Sequence, residues 1–187
     1  MVIMRVLNVL GVTLFFFAAI WEVRSQQTLA IRLADGTVYF AQPPSLVEAI
    51  TIYRNPSVPS TYYFTLSLPE NAGEPLQRVT FTQKEGIEEI KFNLKRTQAE
   101  AETLSDSEQR LTLGEVTRDR KTQTVSVSFN PPVPPGRTIK IGLRSVSNPV
   151  SGGIYLFGVK AFPAGEKSHG QFLGFGRLQF SLPGGRP

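Results

Sequence analysis

The sequence contains no cysteine, and it has only one histidine, one tryptophan and two methionines among 187 residues. The lack of cysteine excludes disulfides, thiolate zinc sites, iron–sulfur clusters and a cysteine nucleophile. Any conventional Ser–His–Asp triad would have to use His169 as its base, and no G-x-S-x-G nucleophile elbow occurs. We therefore expect no metal, no cofactor and no enzymatic activity.

The chain is 41% hydrophobic and 19% charged, with a formal net charge of +5. This composition can fill one hydrophobic core and is not that of a disordered chain. No aromatic–basic RNA-binding motif is present, so we expect no nucleic-acid partner. The basic excess fits a mild attraction to anionic lipid, polysaccharide or an acidic protein surface, or simple solubility.

The first 25 residues differ in composition from the rest of the chain. Arg5 and the amino terminus are positive, and an uncharged apolar run follows from residue 6 to residue 20. With Val23 and Ser25 before a cleavage point, the pattern is typical of a secretory signal peptide cut after Ser25. A retained membrane anchor is the alternative, but a spanning helix needs about 20 apolar residues. Cleavage after Ala30 is weaker, because it would remove part of a first strand.

Removal of residues 1–25 changes the composition of the remaining chain. It leaves 18 basic and 14 acidic residues, a net charge of +4, and no cysteine, methionine or tryptophan. Thioether ligands are then excluded together with thiolates.

Period-two alternation of apolar and polar residues recurs along the chain, and this pattern predicts half-buried β-strands. β-Branched and aromatic residues dominate these stretches, as strands favour. The alternating stretches are 62–68, 79–81, 90–94, 124–129 and 139–143. Residues 154–161 are apolar on both faces, which predicts a central strand.

Turn residues separate the predicted strands. Asp35-Gly36 predicts a hairpin between residues 29–33 and 37–40, and residues 118–121 fit a charged hairpin turn. Four prolines within residues 131–136 predict an extended connection, since proline cannot join a central ladder. The one helical candidate, residues 97–109, lacks an apolar stripe and fits a solvated loop equally well.

These patterns predict an all-β fold of eight to ten short strands. The expected architecture is a single antiparallel β-sandwich, immunoglobulin-like in general architecture and preceded by a signal peptide. The expected boundaries are residues 1–25 for the signal peptide, 26–182 for the sandwich and 183–187 for a disordered tail.

Four stretches carry a family resemblance: LADGTVYF from Leu33, YYFTLSLPENAGEP from Tyr62, FNPPVPPGRTIKIGL from Phe129 and GIYLFGVKAFPAGEKSHGQFLGFGRL from Gly153. Together they resemble an exported cyanobacterial family known as domain of unknown function 2808, over roughly residues 29–182. The resemblance implies a cyanobacterial source and an extracytoplasmic location. It implies no activity, substrate or catalytic residue.

The run Phe172-Leu173-Gly174-Phe175-Gly176 is locally unusual. It lacks the third glycine and the βαβ context of a dinucleotide fingerprint. Glycine inside a strand usually marks a bulge or the close approach of another backbone or ligand, although a tightly packed last strand is the simpler interpretation. If the protein binds a ligand, the predicted binding surface is formed by Phe162, His169, Phe172 and Phe175.

Acidic residues offer two other hypotheses. Glycoside hydrolysis needs two carboxylates across a cleft, and the nominal pairs are Glu70 with Glu74 and Glu88 with Glu89. Adjacent strand residues point to opposite faces, which argues against the second pair. A calcium site is a weak alternative to a solvated acidic face for the cluster Glu100, Glu102, Asp106 and Glu108, which lacks the spacing of a calcium loop.

The sequence therefore predicts an exported, non-enzymatic β-sandwich that binds or supports a protein, lipid or glycan of the cell envelope. The expected compartment is the periplasm, the thylakoid lumen or the exterior, with membrane contact only if the signal segment is retained. The alternatives are an envelope hydrolase that uses His169 or a carboxylate pair, and an accessory factor of a membrane complex.

Overall fold

The computed structural model describes residues 31–102 and 108–181 of the chain. The predicted signal peptide with its cleavage site, Leu182 and the predicted tail lie outside these residues. Within the described ranges, no helix combines the length and the apolar character that crossing a membrane requires.

Most of the described chain is β-strand, joined by turns and two short 3-10 helices, Glu70–Ala72 and Leu94–Arg96. Four strands have only two or three residues, which explains why the described ranges contain more strands than the eight to ten expected. The strands are β1 Ile31–Arg32, β2 Thr37–Tyr39, β3 Ser45–Thr51, β4 Thr61–Leu68, β5 Leu76–Glu85, β6 Gln98–Glu102, β7 Glu108–Arg110, β8 Leu113–Asp119, β9 Thr124–Val133, β10 Arg137–Arg144, β11 Gly153–Pro163, β12 Lys167–Ser168 and β13 Gln171–Phe180.

Two five-stranded antiparallel sheets form the body of the molecule. Sheet 1 has the order β3-β4-β10-β6-β7, and sheet 2 has the order β13-β11-β5-β9-β8. A small ribbon of β1, β2 and β12 adds the Asp35-Gly36 hairpin and one short parallel pair. This arrangement confirms the predicted antiparallel sandwich, the general architecture of immunoglobulin-like domains.

Aromatic side chains from both sheets meet between the layers. Phe64 of β4 lies 4.5 Å from Phe81 of β5 and 5.9 Å from Phe157 of β11, measured between ring centroids. Tilted and edge-on contacts of this kind add to the free energy gained by burying the rings. The buried apolar residues extend from Val38 to Phe180 within the described ranges, so these residues supply a core of their own.

A glycine lets the edges of the two sheets come together. β13 of sheet 2 packs against β3 of sheet 1. A Cβ atom placed on Gly176 would lie 2.6 Å from Cε1 of Phe64 and 2.9 Å from Cβ of Ala49. Only a residue without a side chain allows this approach, which closes one side of the sandwich.

Segments 52–60, 86–97, 118–123 and 144–153 gather at one end of the sandwich, which we call the loop end. The buried Tyr62 hydroxyl donates a 2.8 Å hydrogen bond to Oδ1 of Asn148. Nδ2 of Asn148 donates to the backbone oxygens of Tyr53 and Asn55, each at 2.9 Å. The ribbon lies at the opposite end, where Ala41 N–H donates to the oxygen of Ala72 just after β4.

The structure corrects the prediction for residues 97–109. In its described parts, on either side of residues 103–107, this segment belongs to β6 and β7, which pair with each other, and not to a helix or solvated loop. Ala99 and Ala101 are buried against the core side while Glu100 and Glu102 face outward. The alternation was present in the sequence, but alanine and glutamate are good helix formers and concealed it.

Residues 90–94 form no strand, contrary to the prediction. Ile90 is buried, and Phe92 and Leu94 pack against the core, so the alternating burial is as expected. The segment has a single isolated bridge, from Phe92 to Ser145, and then enters a 3-10 helix. Packing on the core accounts for the apolar residues here without a sheet partner.

The proline segment was only partly predicted. β9 continues through Pro131 and Pro132, and Val133 pairs with Leu76 of β5. β8 pairs with β9 no further than Phe129, so the prolines lie beyond one neighbouring strand and beside a register shift in the other. Proline is tolerated at such irregular positions because no ladder hydrogen bond is lost.

We expect Gly176→Ala to lower the free energy of unfolding by about 1–3 kcal/mol, since the methyl group would overlap Phe64 and Ala49. Denaturant unfolding followed by circular dichroism measures this change. Gly114→Ala is the matched control, because a Cβ there would find its nearest neighbours at 3.6 Å. Equal stability of the two variants would contradict the role given to Gly176.

Candidate ligand-binding face

A β-bulge determines where the two phenylalanines of the F-L-G-F run point. In the β11–β13 pair, Lys160 faces Phe172 and Gly158 faces Phe175, with a register shift between Val159 and Lys160. Gly174 has a φ of +124°, a backbone conformation essentially confined to glycine. The extra residue puts Phe172 and Phe175 on the same face although they are three positions apart.

Both rings lie on the outer surface of sheet 2 and contact each other. Their centroids are 5.1 Å apart with an interplanar angle of 70°. Phe172 is 53% exposed and Phe175 54% exposed. Phenylalanine is among the residues most often buried, so an exposed pair in mutual contact makes this surface a candidate binding face.

A shallow depression of about 490 Å³ adjoins Phe172 on this surface. Its sides come from β5, β9 and β11, and they carry lysine and threonine side chains. Lys84 and Phe172 both lie over Gly158, 3.5 Å from the position that a Cβ would take there. We call the following set the aromatic face: Phe162, Phe172, Phe175, Lys84, Lys160, Thr80, Thr82 and Thr124.

The lysines of the aromatic face leave charge available for a ligand, whereas the Thr124 hydroxyl already bonds to Thr82 and Thr122. The hydroxyls of Thr82 and Thr124 are 2.8 Å apart and bond to each other across the strands. The two ion pairs found within the described ranges are Arg32–Glu74 and Arg118–Glu89, so neither Lys84 nor Lys160 is paired there. Two unpaired ammonium groups beside two exposed rings suit an anionic ligand with apolar faces.

Phe162 plays a supporting part at the edge of the depression. The guanidinium carbon of Arg78 lies 4.1 Å from its ring centroid, in a cation–π contact. Gly170 packs directly on the same ring, where any Cβ would overlap it. Phe162 is therefore half-buried and fixed in place, whereas Phe172 and Phe175 project outward.

The structure does not bring His169 into this face. Its ring stacks on Tyr39 of the ribbon at 4.6 Å, with an interplanar angle of 27°. Its backbone N–H donates to the oxygen of Val38 at 2.9 Å. The imidazole therefore lies beside β2 and does not line the depression.

The carboxylates of the two predicted pairs contact different parts of the structure. Glu88 accepts backbone N–H groups from Val150 at 3.2 Å and Ser151 at 2.7 Å. Glu89 forms an ion pair with Arg118 of β8. Glu74 lies 4.0 Å from Arg32, and Glu70 packs beside Gly136. Each of these carboxylates contacts a different element, and these contacts join loops and strands.

The acidic cluster lies on sheet 1. Glu102 of β6 faces Glu108 of β7 across the ladder, and Glu100 faces Arg110. Asp106 lies outside the described residues. Among the residues that the structure does describe, no three His, Cys, Asp or Glu side chains group closely enough to hold a metal ion.

Sequence reasoning missed the lysines and threonines of the aromatic face. The available signal was the alternation in β9, where Thr124 and Ser126 face outward while Val125 and Val127 are buried. That pattern gives the face of a residue but not its neighbours. Lys84, Gly158 and Phe172 meet only because β5, β11 and β13 are adjacent in sheet 2.

Fold and surface together define an all-β antiparallel sandwich with an exposed aromatic and basic face. The chain belongs to the family described as "Protein of unknown function (DUF2808)", whose match covers residues 37–180. No curated protein matches the sequence.

Several solved structures from bacterial surface proteins show a distant likeness. The group B streptococcus pilus 2b backbone protein has 12% identity and a TM-score of 0.44, over 70% of this chain and 55% of that one. The collagen adhesin from S. aureus has 8% identity and a TM-score of 0.40, over 71% and 48%. The collagen-binding subdomain of Enterococcus faecalis ACE has 7% identity and a TM-score of 0.42, over 71% and 93%.

This chain thus spans about half the length of the first two structures. At these TM-scores the likeness supports no statement about what the chain binds.

The contact between Glu88 and segment 150–151 depends on pH. Hydrogen bonds from the Ser151 side chain and from the backbone N–H groups of Ser151 and Val150 hold its pKa below the ordinary value of 4.5. A lowered pKa means that the ionised carboxylate stabilises the loop contact above pH 4.5, and that this contribution is lost as the pH falls through the lowered pKa.

We expect the amide resonances of Val150 and Ser151 to titrate with Glu88 in NMR spectra recorded from neutral to acidic pH. In Glu88→Gln these two amides should lose that titration, whereas Glu166→Gln should leave it intact. A titration that persists in Glu88→Gln would show that another group is responsible.

Gly174→Ala tests the bulge. A non-glycine residue at a φ of +124° costs about 1–3 kcal/mol, which should appear as lower stability in denaturant unfolding. Gly158→Ala is the control on the paired strand, because its Cβ would make ordinary contacts at 3.5 Å and more. A stability loss in Gly158→Ala that equals or exceeds that in Gly174→Ala would contradict this account of the bulge.

Proposed function

We propose that the chain is an exported, non-enzymatic binding module of a cyanobacterial cell envelope, and that its aromatic face binds an acidic polysaccharide. The observation that carries the proposal is the exposed, mutually contacting pair Phe172 and Phe175 beside the unpaired Lys84 and Lys160. Export rests on the N-terminal sequence pattern and on the family resemblance.

The chemistry of the face fits a sugar chain. Aromatic rings pack against the C–H faces of sugar rings, and flanking hydroxyl groups can both donate to and accept from sugar hydroxyls. The outer surface of a sheet is open along its length, which suits an extended polymer better than a compact small molecule. Thr82 supplies a hydroxyl beside Phe172, whereas Thr80 is only 9% exposed and the Thr124 hydroxyl also bonds to Thr122.

The charge of the face selects the acidic class of polysaccharide. Lys84 and Lys160 both line the depression, and neither has a carboxylate partner in the described ranges. A uronate or sulfate group placed there gains a charge-assisted hydrogen bond without breaking an existing ion pair. A neutral glycan would leave both ammonium groups without this gain.

The contacts within the structure do not favour the alternative of an envelope hydrolase. His169 stacks on Tyr39, and Glu88 binds the backbone of segment 150–151. These side chains are occupied in ways that serve the fold. An accessory role in a membrane complex remains compatible with the proposal and differs from it only in the partner.

Affinity electrophoresis in gels that contain polygalacturonate, with dextran as the neutral comparison, tests this function. The wild-type protein should be retarded by polygalacturonate and not by dextran. We expect Phe172→Ala/Phe175→Ala to weaken binding about tenfold or more, because two central contact residues are lost. Lys84→Gln/Lys160→Gln should weaken binding to polygalacturonate, and the binding that is left should depend less on salt concentration.

Tyr53→Ala is the matched control, since Tyr53 is equally exposed but lies at the loop end. It should bind as the wild type does. Retention of full binding by the double phenylalanine variant would exclude the aromatic face, and retardation by dextran alone would exclude an acidic ligand. Circular dichroism melting of each variant verifies that its fold is intact.

A further inference from the structure

We propose a second interaction surface, independent of the aromatic face: the loop end docks peripherally onto an anionic lipid bilayer. The proposal joins three observations about this end of the sandwich, namely exposed apolar tips, a local excess of positive charge and a hydrogen-bonded scaffold that holds the loops together.

Apolar side chains project from three loops at this end. Of the eleven large hydrophobic residues that are exposed in the described ranges, five lie in the loop-end segments. Ile87 is the most exposed of all, at 79%. The others are Ile52, Tyr53, Val146 and Val150. Apolar tips of this kind gain free energy when they enter the boundary between headgroups and acyl chains.

The same end carries the excess of positive charge found among the described residues. The loop-end segments contain eight basic and three acidic residues, whereas the remaining described residues contain nine basic and ten acidic ones. The sandwich is therefore polarised along its length. Such an excess attracts the molecule to an anionic surface and orients the loop end towards it.

One basic pocket is suited to a lipid headgroup. Lys95, Arg96 and Arg144 of the loop end line a depression of about 470 Å³ together with Arg110 of β7. Nη1 of Arg144 donates to the Thr61 hydroxyl at 3.3 Å, and none of the four cations forms an ion pair within the described ranges. A phosphate group can therefore be bound there without displacing a carboxylate.

Hydrogen bonds join the loops to one another, so docking needs little further ordering. Asn148 bonds to segment 53–55, and Glu88 bonds to residues 150 and 151. Val146, one of the exposed apolar residues, donates its backbone N–H to the oxygen of Lys91 at 2.8 Å. Pre-ordered loops lose less conformational entropy on binding than free ones.

The presence of exposed apolar side chains and basic side chains at the same end favours a bilayer over other anionic partners. A polysaccharide or free phosphate would use the cations but would leave Ile87 and Val150 in water. A bilayer uses both, because the headgroups meet the cations while the apolar side chains enter the interface. This route requires no membrane-spanning segment, so it goes beyond the contact expected only from a retained signal segment.

Vesicle flotation tests the inference, with phosphatidylglycerol–phosphatidylcholine vesicles compared with phosphatidylcholine alone. The protein used is the chain from Gln26 to Pro187. It contains the whole core found between residues 38 and 180 and lacks the apolar N-terminal run. We expect this chain to float with the anionic vesicles only, and binding to fall as salt is added. The full chain is measured in parallel.

Two variants separate the contributions of charge and apolar contact. Lys95→Gln/Arg96→Gln should weaken binding roughly 25-fold, since each cation near an anionic leaflet is worth about fivefold. Ile87→Ser/Val150→Ser should weaken binding about tenfold or more, at every salt concentration. Lys140→Gln/Lys167→Gln removes the same charge from strands outside both the loop end and the aromatic face, and should bind as the wild type does.

Several outcomes would overturn the proposal. Failure of the chain from Gln26 to float at low salt, or equal flotation with phosphatidylcholine vesicles, would contradict anionic-lipid docking. Full binding by both loop-end variants would exclude the loop end. Flotation of the full chain but not of the chain from Gln26 would assign membrane binding to the N-terminal segment. Capture of the Gln26 chain by poly-glutamate beads without vesicle binding would assign the loop end to acidic proteins instead. Thermal melting confirms that each variant is folded, and none of these results bears on polygalacturonate binding by the aromatic face.

Discussion

The structure depends on the way Tyr62 is buried. Its ring contacts Phe92, Phe157 and Phe180 in the core, and its hydroxyl reaches Asn148 at the edge of that core. Burial raises the pKa of Tyr62 well above its ordinary value, so the hydroxyl stays a neutral donor. A buried hydroxyl without a partner is costly, and this requirement fixes Asn148 and, through it, the loops that Asn148 holds.

Function is expected where the core imposes the fewest constraints. The inward residues of β5, β9 and β11 are dictated by packing, whereas the outward residues are free to carry threonine, lysine and phenylalanine. Gly174 makes this division sharper, because the bulge moves one extra aromatic ring to the outside at the expense of regular pairing. The loop end has a similar freedom: its backbone is held by hydrogen bonds, so its side chains are available for contact.

Much of the fold could be predicted, because β4, β5, β9 and β10 each bury one face and their sequences therefore alternate between apolar and polar residues. β6 was not predicted, because its buried residues are Ala99 and Ala101 and alanine does not favour strands. Residues 90–94 showed the opposite failure, since alternation reports burial and not pairing. The bulge in β13 was among the expected interpretations of its glycines. The lysines of the aromatic face were not, because they are neighbours across strands that are far apart in sequence.

The ribbon and the loop end lie at opposite ends of the sandwich, and the described chain starts on one and finishes near the other. Ile31 begins in the ribbon, whereas Ser181 bonds to Arg54 at the loop end. Strands of eight to eleven residues separate the two by about 30 Å. A sandwich held at its ribbon end would therefore act as a spacer about 30 Å long, with its loop end turned towards the opposite surface.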